Sequence, residues 1–174
     1  MKKSLLLLVV AIFTLTTAFE ASAKWTDRNT FNLKGPVKAV ENQFNEEFLE
    51  SNEFKENGDI IFEEYPDVYW ANIDRDNKGR ITYIGGVEYS YNNKGQVVKV
   101  YVTGGQREST TKYYYNAKGQ VIKAIVQGSG PNGDYSYTTT YTYQKFDSYG
   151  NWIKRTAKTG RKSKVQTRTI TYYE

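Results

Sequence analysis

Two pairs of adjacent carboxylates, Glu46/Glu47 and Glu63/Glu64, are the residues whose type best suits bond-breaking chemistry. In a glycosidase, one such group acts as acid while the other serves as base or nucleophile. Neighbouring side chains of an extended strand point to opposite faces, however, so neither pair can flank a single bond. The chain has no histidine and no cysteine. That removes Ser-His-Asp and Cys-His nucleophile systems and the ordinary zinc sites, which need imidazole or thiolate. Residues 74–79 (Asp-Arg-Asp-Asn-Lys-Gly) resemble the start of a calcium loop, but Lys78 stands where a third oxygen ligand belongs and Gly85 falls at the twelfth position in place of glutamate. A hairpin turn is the expectation there. The residues thus predict no enzyme, no metal and no cofactor.

Binding chemistry is better supplied. Sixteen tyrosines and three tryptophans are more than one small sheet needs for its core, and a tyrosine is at once apolar and hydrogen-bonding. The runs Tyr113-Tyr114-Tyr115, Tyr135-x-Tyr137 and Tyr141-x-Tyr143 put rings on both faces of a sheet, and on an open face such rings can lie against a sugar ring or a peptide. The competing role for any one ring is packing between hairpins, and Trp152, beside a turn glycine, is expected to be packed. Trp25 and the Tyr69-Trp70 pair stand outside the repeated pattern and are expected to do something particular to this protein. A basic tail containing Lys154, Arg155, Lys158, Arg161, Lys162, Lys164 and Arg168 holds no acid. It suits an anionic partner, held by charge-assisted hydrogen bonds. The candidate ligand-binding set is therefore Tyr69, Trp70, Tyr113, Tyr115, Tyr141, Tyr143, Lys154, Arg155, Arg161 and Lys162.

The elements that must position these side chains are visible as a repeat. Tyr91-Asn92-Asn93-Lys94-Gly95-Gln96-Val97-Val98-Lys99 returns as Tyr115-Asn116-Ala117-Lys118-Gly119-Gln120-Val121-Ile122-Lys123. An aromatic residue four before the glycine and a large apolar one two after it recur at Phe31/Gly35/Val37, Phe54/Gly58/Ile60 and Phe146/Gly150/Trp152, and Gly79/Ile81 adds a sixth unit with Arg75 in the aromatic position. Asn or Asp three before the glycine starts a turn by bonding the backbone, and the glycine supplies φ > 0. Each unit reads as a β-hairpin turn. Alternation places Val98, Val100 and Val102 on one face and Val97, Lys99 and Tyr101 on the other, with Ile122, Ala124 and Val126 repeating the first pattern. Residues 41–56 leave a short helix in competition with a strand. The prediction is an all-β protein, an antiparallel meander of about nine or ten strands in repeated hairpins, forming one strongly twisted or partly curled sheet.

Lys2 and Lys3, an apolar run over residues 5–13 and Ala21-Ser22-Ala23 read as a signal peptide cut after Ala23. Residues 24–174 then form a single domain, exported to the periplasm or outside the cell, without disulfides and not spanning the membrane after cleavage. Export makes nucleic acid an unexpected partner for the basic tail. Charge is polarised: twelve acids lie between positions 41 and 76 against Lys55 and Arg75, and sixteen bases between 77 and 173 against four acids. Such a chain can stack its own hairpins, present its basic part to an anionic partner, or associate with further copies as a homo-oligomer.

The Y-N-x-K-G-Q-V-[VI]-K units, the segment Phe146-Asp147-Ser148-Tyr149-Gly150-Asn151-Trp152 and the opening Leu33-Lys34-Gly35-Pro36-Val37 resemble the YD-repeat (Rhs-type) family of bacterial exported proteins. The family's Tyr-Asp pair is replaced here by Tyr91-Asn92, Tyr115-Asn116 and Phe146-Asp147. The resemblance implies a row of β-hairpins in a continuous twisted sheet and an association with carbohydrate and cell-surface recognition, assigned to no particular residue. The expected function is non-catalytic recognition of a glycan or a protein partner of the cell envelope through an aromatic and basic sheet face. A structural or self-assembling module is the alternative, using the acidic N-terminal part and the basic C-terminal part. An eight-stranded outer-membrane barrel is disfavoured by the short loops and the lack of a consistent lipid-facing apolar row.

Overall fold

The structure, a computed structural model, describes residues 25–44, 47–61, 73–104 and 107–174. Among them, one short helix, α1 (Asp27–Thr30), precedes twelve strands: β1 (Val37–Phe44), β2 (Glu47–Phe54), β3 (Ile60–Ile61), β4 (Ile73–Arg75), β5 (Ile81–Ile84), β6 (Val87–Tyr91), β7 (Val97–Gly104), β8 (Arg107–Tyr115), β9 (Val121–Gly130), β10 (Gly133–Phe146), β11 (Trp152–Thr159) and β12 (Lys162–Tyr172). The signal-peptide reading and the Tyr69-Trp70 pair fall outside the described residues. The strand count exceeds the nine or ten expected, and residues 41–44 and 47–54 fall in β1 and β2, so strand prevails over helix there.

Every hairpin with a repeat glycine closes by the same hydrogen bonds. In the β6–β7 turn Asn92 N–H donates to Gln96 O and Gly95 N–H to Asn92 O, while the Asn92 side-chain oxygen accepts from the backbone of Lys94 and Gln96. Asp76, Asn116 and Asp147 repeat the arrangement, so the side chain holds the turn that its glycine reverses. At Gly95 the glycine is required twice. Its φ is +78°, and an added Cβ would stand 2.7 Å from the Trp25 ring packed over it. The Asp76 carboxylate is committed to its own turn and to Arg80, at 2.6 Å from Nε, which supports the hairpin reading of residues 74–79.

The aromatic of one unit reaches the next. Tyr91, Tyr115 and Tyr143 donate their hydroxyls to the carbonyls of Ile81, Val97 and Val121, at 2.6–2.9 Å. The acceptors are the apolar residues two after the preceding glycines, so the repeat's spacing sets a hydroxyl-to-carbonyl ladder across the sheet. In the last continuous unit, Tyr143 makes this bond and Phe146, at the repeat position, is 38 % exposed.

The strand order is β3-β2-β1-β12-β11-β10-β9-β8-β7-β6-β5-β4, antiparallel throughout. The meander is joined at its two chain ends, and this corrects the Phe31/Gly35/Val37 unit. Gly35 does not turn a continuous hairpin after Phe31. It belongs to a turn split between β12 and β1: Tyr172 pairs with Val37 as Tyr91 pairs with Val97, and Tyr173 N–H donates to Pro36 O as Asn92 N–H donates to Gln96 O. Six units of two strands each account for the twelve.

Only β3 and β4 lack a common ladder among the described residues, so the sheet is curled but not closed into a barrel. The residues before β1 span this seam. Asp27, 1 % exposed, accepts from Ile60 N–H of β3 and from both terminal nitrogens of Arg75 of β4, at 2.6–2.9 Å, while its own N–H donates to Gly58 O. Arg28 donates to the carbonyls of Val37, Lys55 and Glu56. Around these contacts Leu33, Val37, Val40, Phe54, Ile60, Ile81 and Ile84 form the buried core, joining the two edge regions beneath the helix.

Bulges correct the facing of two valines. The register shifts between Ser90 and Tyr91 and between Tyr114 and Tyr115 each add a residue on the partner strand, so Val97 and Val121 line the interior and Ile122 is turned out, 42 % exposed.

At the split turn, the Tyr172 hydroxyl donates a short hydrogen bond to Asp147, and Asn151 accepts from Lys34 N–H and donates to Lys34 O. Burial, together with the Asp147 bond, pushes Tyr172 up to about 12. Burial raises Asp147, but bonds from Tyr172, Asn151 and Tyr149 outweigh it and hold the carboxylate below its ordinary value. A raised tyrosine stabilises the fold fully below its unfolded value of about 10 and loses that contribution as pH rises through the folded value. A lowered aspartate contributes above about 3.9 and loses that contribution as pH falls through its folded value. Thermal unfolding followed across pH is expected to show a plateau with declines above about pH 10 and below about pH 4. Tyr172→Phe is expected to flatten the alkaline decline.

Candidate ligand-binding site

The curl gives the sheet a concave face. Along β8 to β12, alternation turns Tyr113 and Tyr115, Ala124 and Val126, Tyr141 and Tyr143, Arg155 and Ala157, and Gln166 and Arg168 inward. Two chambers follow. The inner one, about 310 Å³, has Thr30, Phe31 and Asn32 as its floor, so the segment that spans the seam also ends the cavity. The outer one, about 420 Å³, shares Tyr113 and Tyr141 with the first and includes Thr139, Thr159, Lys162 and Lys164 in its wall.

Of the eight candidate residues that are described, Tyr113, Tyr115, Tyr141, Tyr143, Arg155 and Lys162 line these chambers. Lys154 does not, because it precedes Arg155 in a strand and so points to the opposite face, exposed. Arg161 sits in the two-residue turn after β11, exposed at the rim.

The centre of the inner chamber is an arginine held by rings. The Arg155 guanidinium carbon lies 4.1 Å from the ring centroid of Tyr141 and 4.1 Å from that of Trp152, and 5.9 Å from Tyr143. Its Nε donates to Gln166 Oε1 at 2.6 Å and one terminal nitrogen reaches the Tyr143 hydroxyl at 3.5 Å. Arg168 stands over the same indole, at 3.9 Å, and donates to Asn42 Oδ1. Cation–π contacts at these distances contribute about 0.5–2 kcal/mol each, more as water is excluded.

Two of these groups are additions to the candidate set. Trp152, 6 % exposed, is packed as expected and in addition forms the platform between the arginines. Arg168 was legible as part of the basic tail, but its inward facing depends on the pairing of β12 with β1, for which no local pattern exists.

Burial pushes the Tyr115 hydroxyl well up from its ordinary value, and Tyr141 rises for the same reason against the lowering pull of Arg155. Tyr115 and Tyr143 already donate their hydroxyls to Val97 O and Val121 O, which leaves their phenol oxygens as acceptors. Paired carboxylates, which acid–base hydrolysis needs, are absent from the described walls of both chambers. The opposite face carries a wider depression of about 660 Å³ over β7 to β10, where Glu108 already accepts from Tyr101 and Ser129 and the bases Lys99 and Lys112 are mixed with acids. It has no aromatic platform comparable to Trp152. No protein-family model, no curated protein and no solved structure matches this chain.

Proposed function

We propose that this is an exported, non-catalytic recognition protein that takes a saccharide into the concave face of its sheet. The observation carrying this reading is the convergence of Tyr113, Tyr115, Tyr141, Tyr143 and Trp152 with Arg155 around one cavity. Ring faces stack on the C–H faces of a pyranose while phenol and guanidinium groups bond its hydroxyls. Export rests on the basic, apolar and small-residue succession of residues 2–23. The resemblance to YD-repeat proteins agrees with this reading, since the hairpins here are the scaffold and the ligand chemistry comes from what the curl brings together.

The test is a glycan array probed with residues 24–174, followed by calorimetry on each saccharide retained. At least one is expected to bind, and Tyr113→Ala is expected to weaken it about tenfold, equivalent to about 1.4 kcal/mol, with the thermal midpoint remaining well above the assay temperature. An array that retains nothing, or a Tyr113→Ala protein that binds unchanged, overturns the proposal. The self-assembly alternative draws less support. Acidic β2 lies one strand away from basic β12 and β11 within one sheet, with the charge-balanced β1 between them, so the charge polarity has an outlet inside a single chain.

A further inference from the structure

Arg155 is a cation of the inner chamber whose partners among the described residues are all neutral. Its partners are an amide oxygen, a phenol and three aromatic rings; no carboxylate is among them. A half-buried guanidinium without a counter-charge is costly to desolvate. An Asp or Glu directly across the strand would stabilise such a group. Here the cross-strand neighbours of Arg155 are Tyr143 and Gln166. The Gln166 bond at Nε and the two rings at 4.1 Å fix the plane of the fork, and Tyr143 engages only one hydrogen of the terminal nitrogens, which leaves the remaining terminal N–H donors for a ligand. A rigid, planar, oriented fork in an aromatic-walled cavity matches a planar, two-oxygen anion. Lys162, in the wall of the outer chamber, adds a second positive charge on the path inward.

We infer that the ligand is an acidic saccharide whose carboxylate is received by the Arg155 guanidinium while its ring lies against Tyr113, which lines both chambers. The inference rests on the saccharide reading above and adds the charge. Arg155 is then the residue that separates uronic-acid-type sugars from the neutral sugars of the same ring shape, because a neutral sugar leaves the fork without its counter-charge.

The experiment uses short oligosaccharides prepared from pectate, alginate and hyaluronan, each beside its carboxyl-reduced form, in which the acid has become a primary alcohol on the same ring. Binding is followed by calorimetry at low and high sodium chloride. At least one acidic oligosaccharide is expected to bind, its reduced partner at least tenfold more weakly, and the difference is expected to shrink as salt rises. Arg155→Gln is expected to bind the acidic and reduced forms alike. Arg155→Lys is expected to recover part of the preference, since charge returns without the fork. Thermal unfolding of both variants tests whether the fold is retained, and Arg155→Lys, which keeps the cation between the rings, serves if Arg155→Gln does not fold. Equal binding of acidic and reduced forms by the unaltered protein overturns the acid inference while leaving the saccharide reading in place. Binding of neither form of any pair, together with an empty glycan array, overturns both. An Arg155→Gln protein that keeps full preference for the acid overturns the assignment to Arg155.

Discussion

Asp27→Ala is expected to lower the unfolding free energy by about 3 kcal/mol and to open the sheet along one line before the rest unfolds. The carboxylate is buried and satisfies two edges at once, Ile60 N–H on β3 and the Arg75 guanidinium on β4. Its removal leaves a buried amide unpaired and a cation without its partner. Breaking a buried pair from one side commonly costs 3–5 kcal/mol, and the 35 % exposure of the Arg75 side chain argues for the lower end of about that range. A domain of this size has about 5–15 kcal/mol in total, so the loss is a large fraction. Hydrogen exchange distinguishes a local from a global effect: amides of β3 to β5 are expected to lose protection while those of β8 to β10 keep theirs. Asp27→Ala combined with Arg75→Ala is expected to recover part of the loss, because the stranded charge is gone. Uniform loss of protection would place the role of Asp27 in the whole sheet and not in the seam.

Phe54→Ala is expected to cost about 3–5 kcal/mol, and Phe146→Ala no more than about 1 kcal/mol, although both rings hold the same place in the repeat. Phe54 is fully buried, meets Phe31 edge-on at 5.6 Å and packs among Val37, Val40 and Ile81. Phe146 is 38 % exposed and stacks on Tyr143. The difference arises because core density is concentrated where the floor segment meets the two edges, whereas the far side of the sheet surrounds a cavity. Urea unfolding of the two variants measures it. Equal losses would mean that the repeat position, and not the seam, sets the value of the ring.

These contrasts also mark what the residues disclosed. Turn chemistry is local, so Asn92, Gly95 and their equivalents predict each hairpin, and hairpins in series predict a meander. The Gly35 unit was legible as a repeat but not as a split one, since its aromatic partner Tyr172 lies at the other end of the chain. Alternation failed at Val97, Val121 and Ile122, where a bulge adds one residue and reverses the faces. Tyr113, Tyr115, Tyr141 and Tyr143 were legible as candidate binding residues by number and spacing. Whether they lined a cavity or lay on an open face depended on the curl, and the curl depends on Asp27, which no repeat or periodicity singles out. Lys154 and Arg161 shared the composition of the basic tail without sharing its inward direction, which only the strand register decides.

The pairing of Tyr172 with Val37 has a consequence for the order of events in folding. Neighbouring hairpins such as β6–β7 and β8–β9 close over short chain separations and can form as soon as they emerge. The joint between β12 and β1 spans nearly the whole described chain and carries the entropy of closing a very long loop. High contact order of this kind slows folding. The β1 edge and the last strand therefore wait for one another, and the protein reaches its final state only after the C-terminal strand has been delivered. Under the export proposed above, that timing would keep the sheet from completing itself while passage is under way.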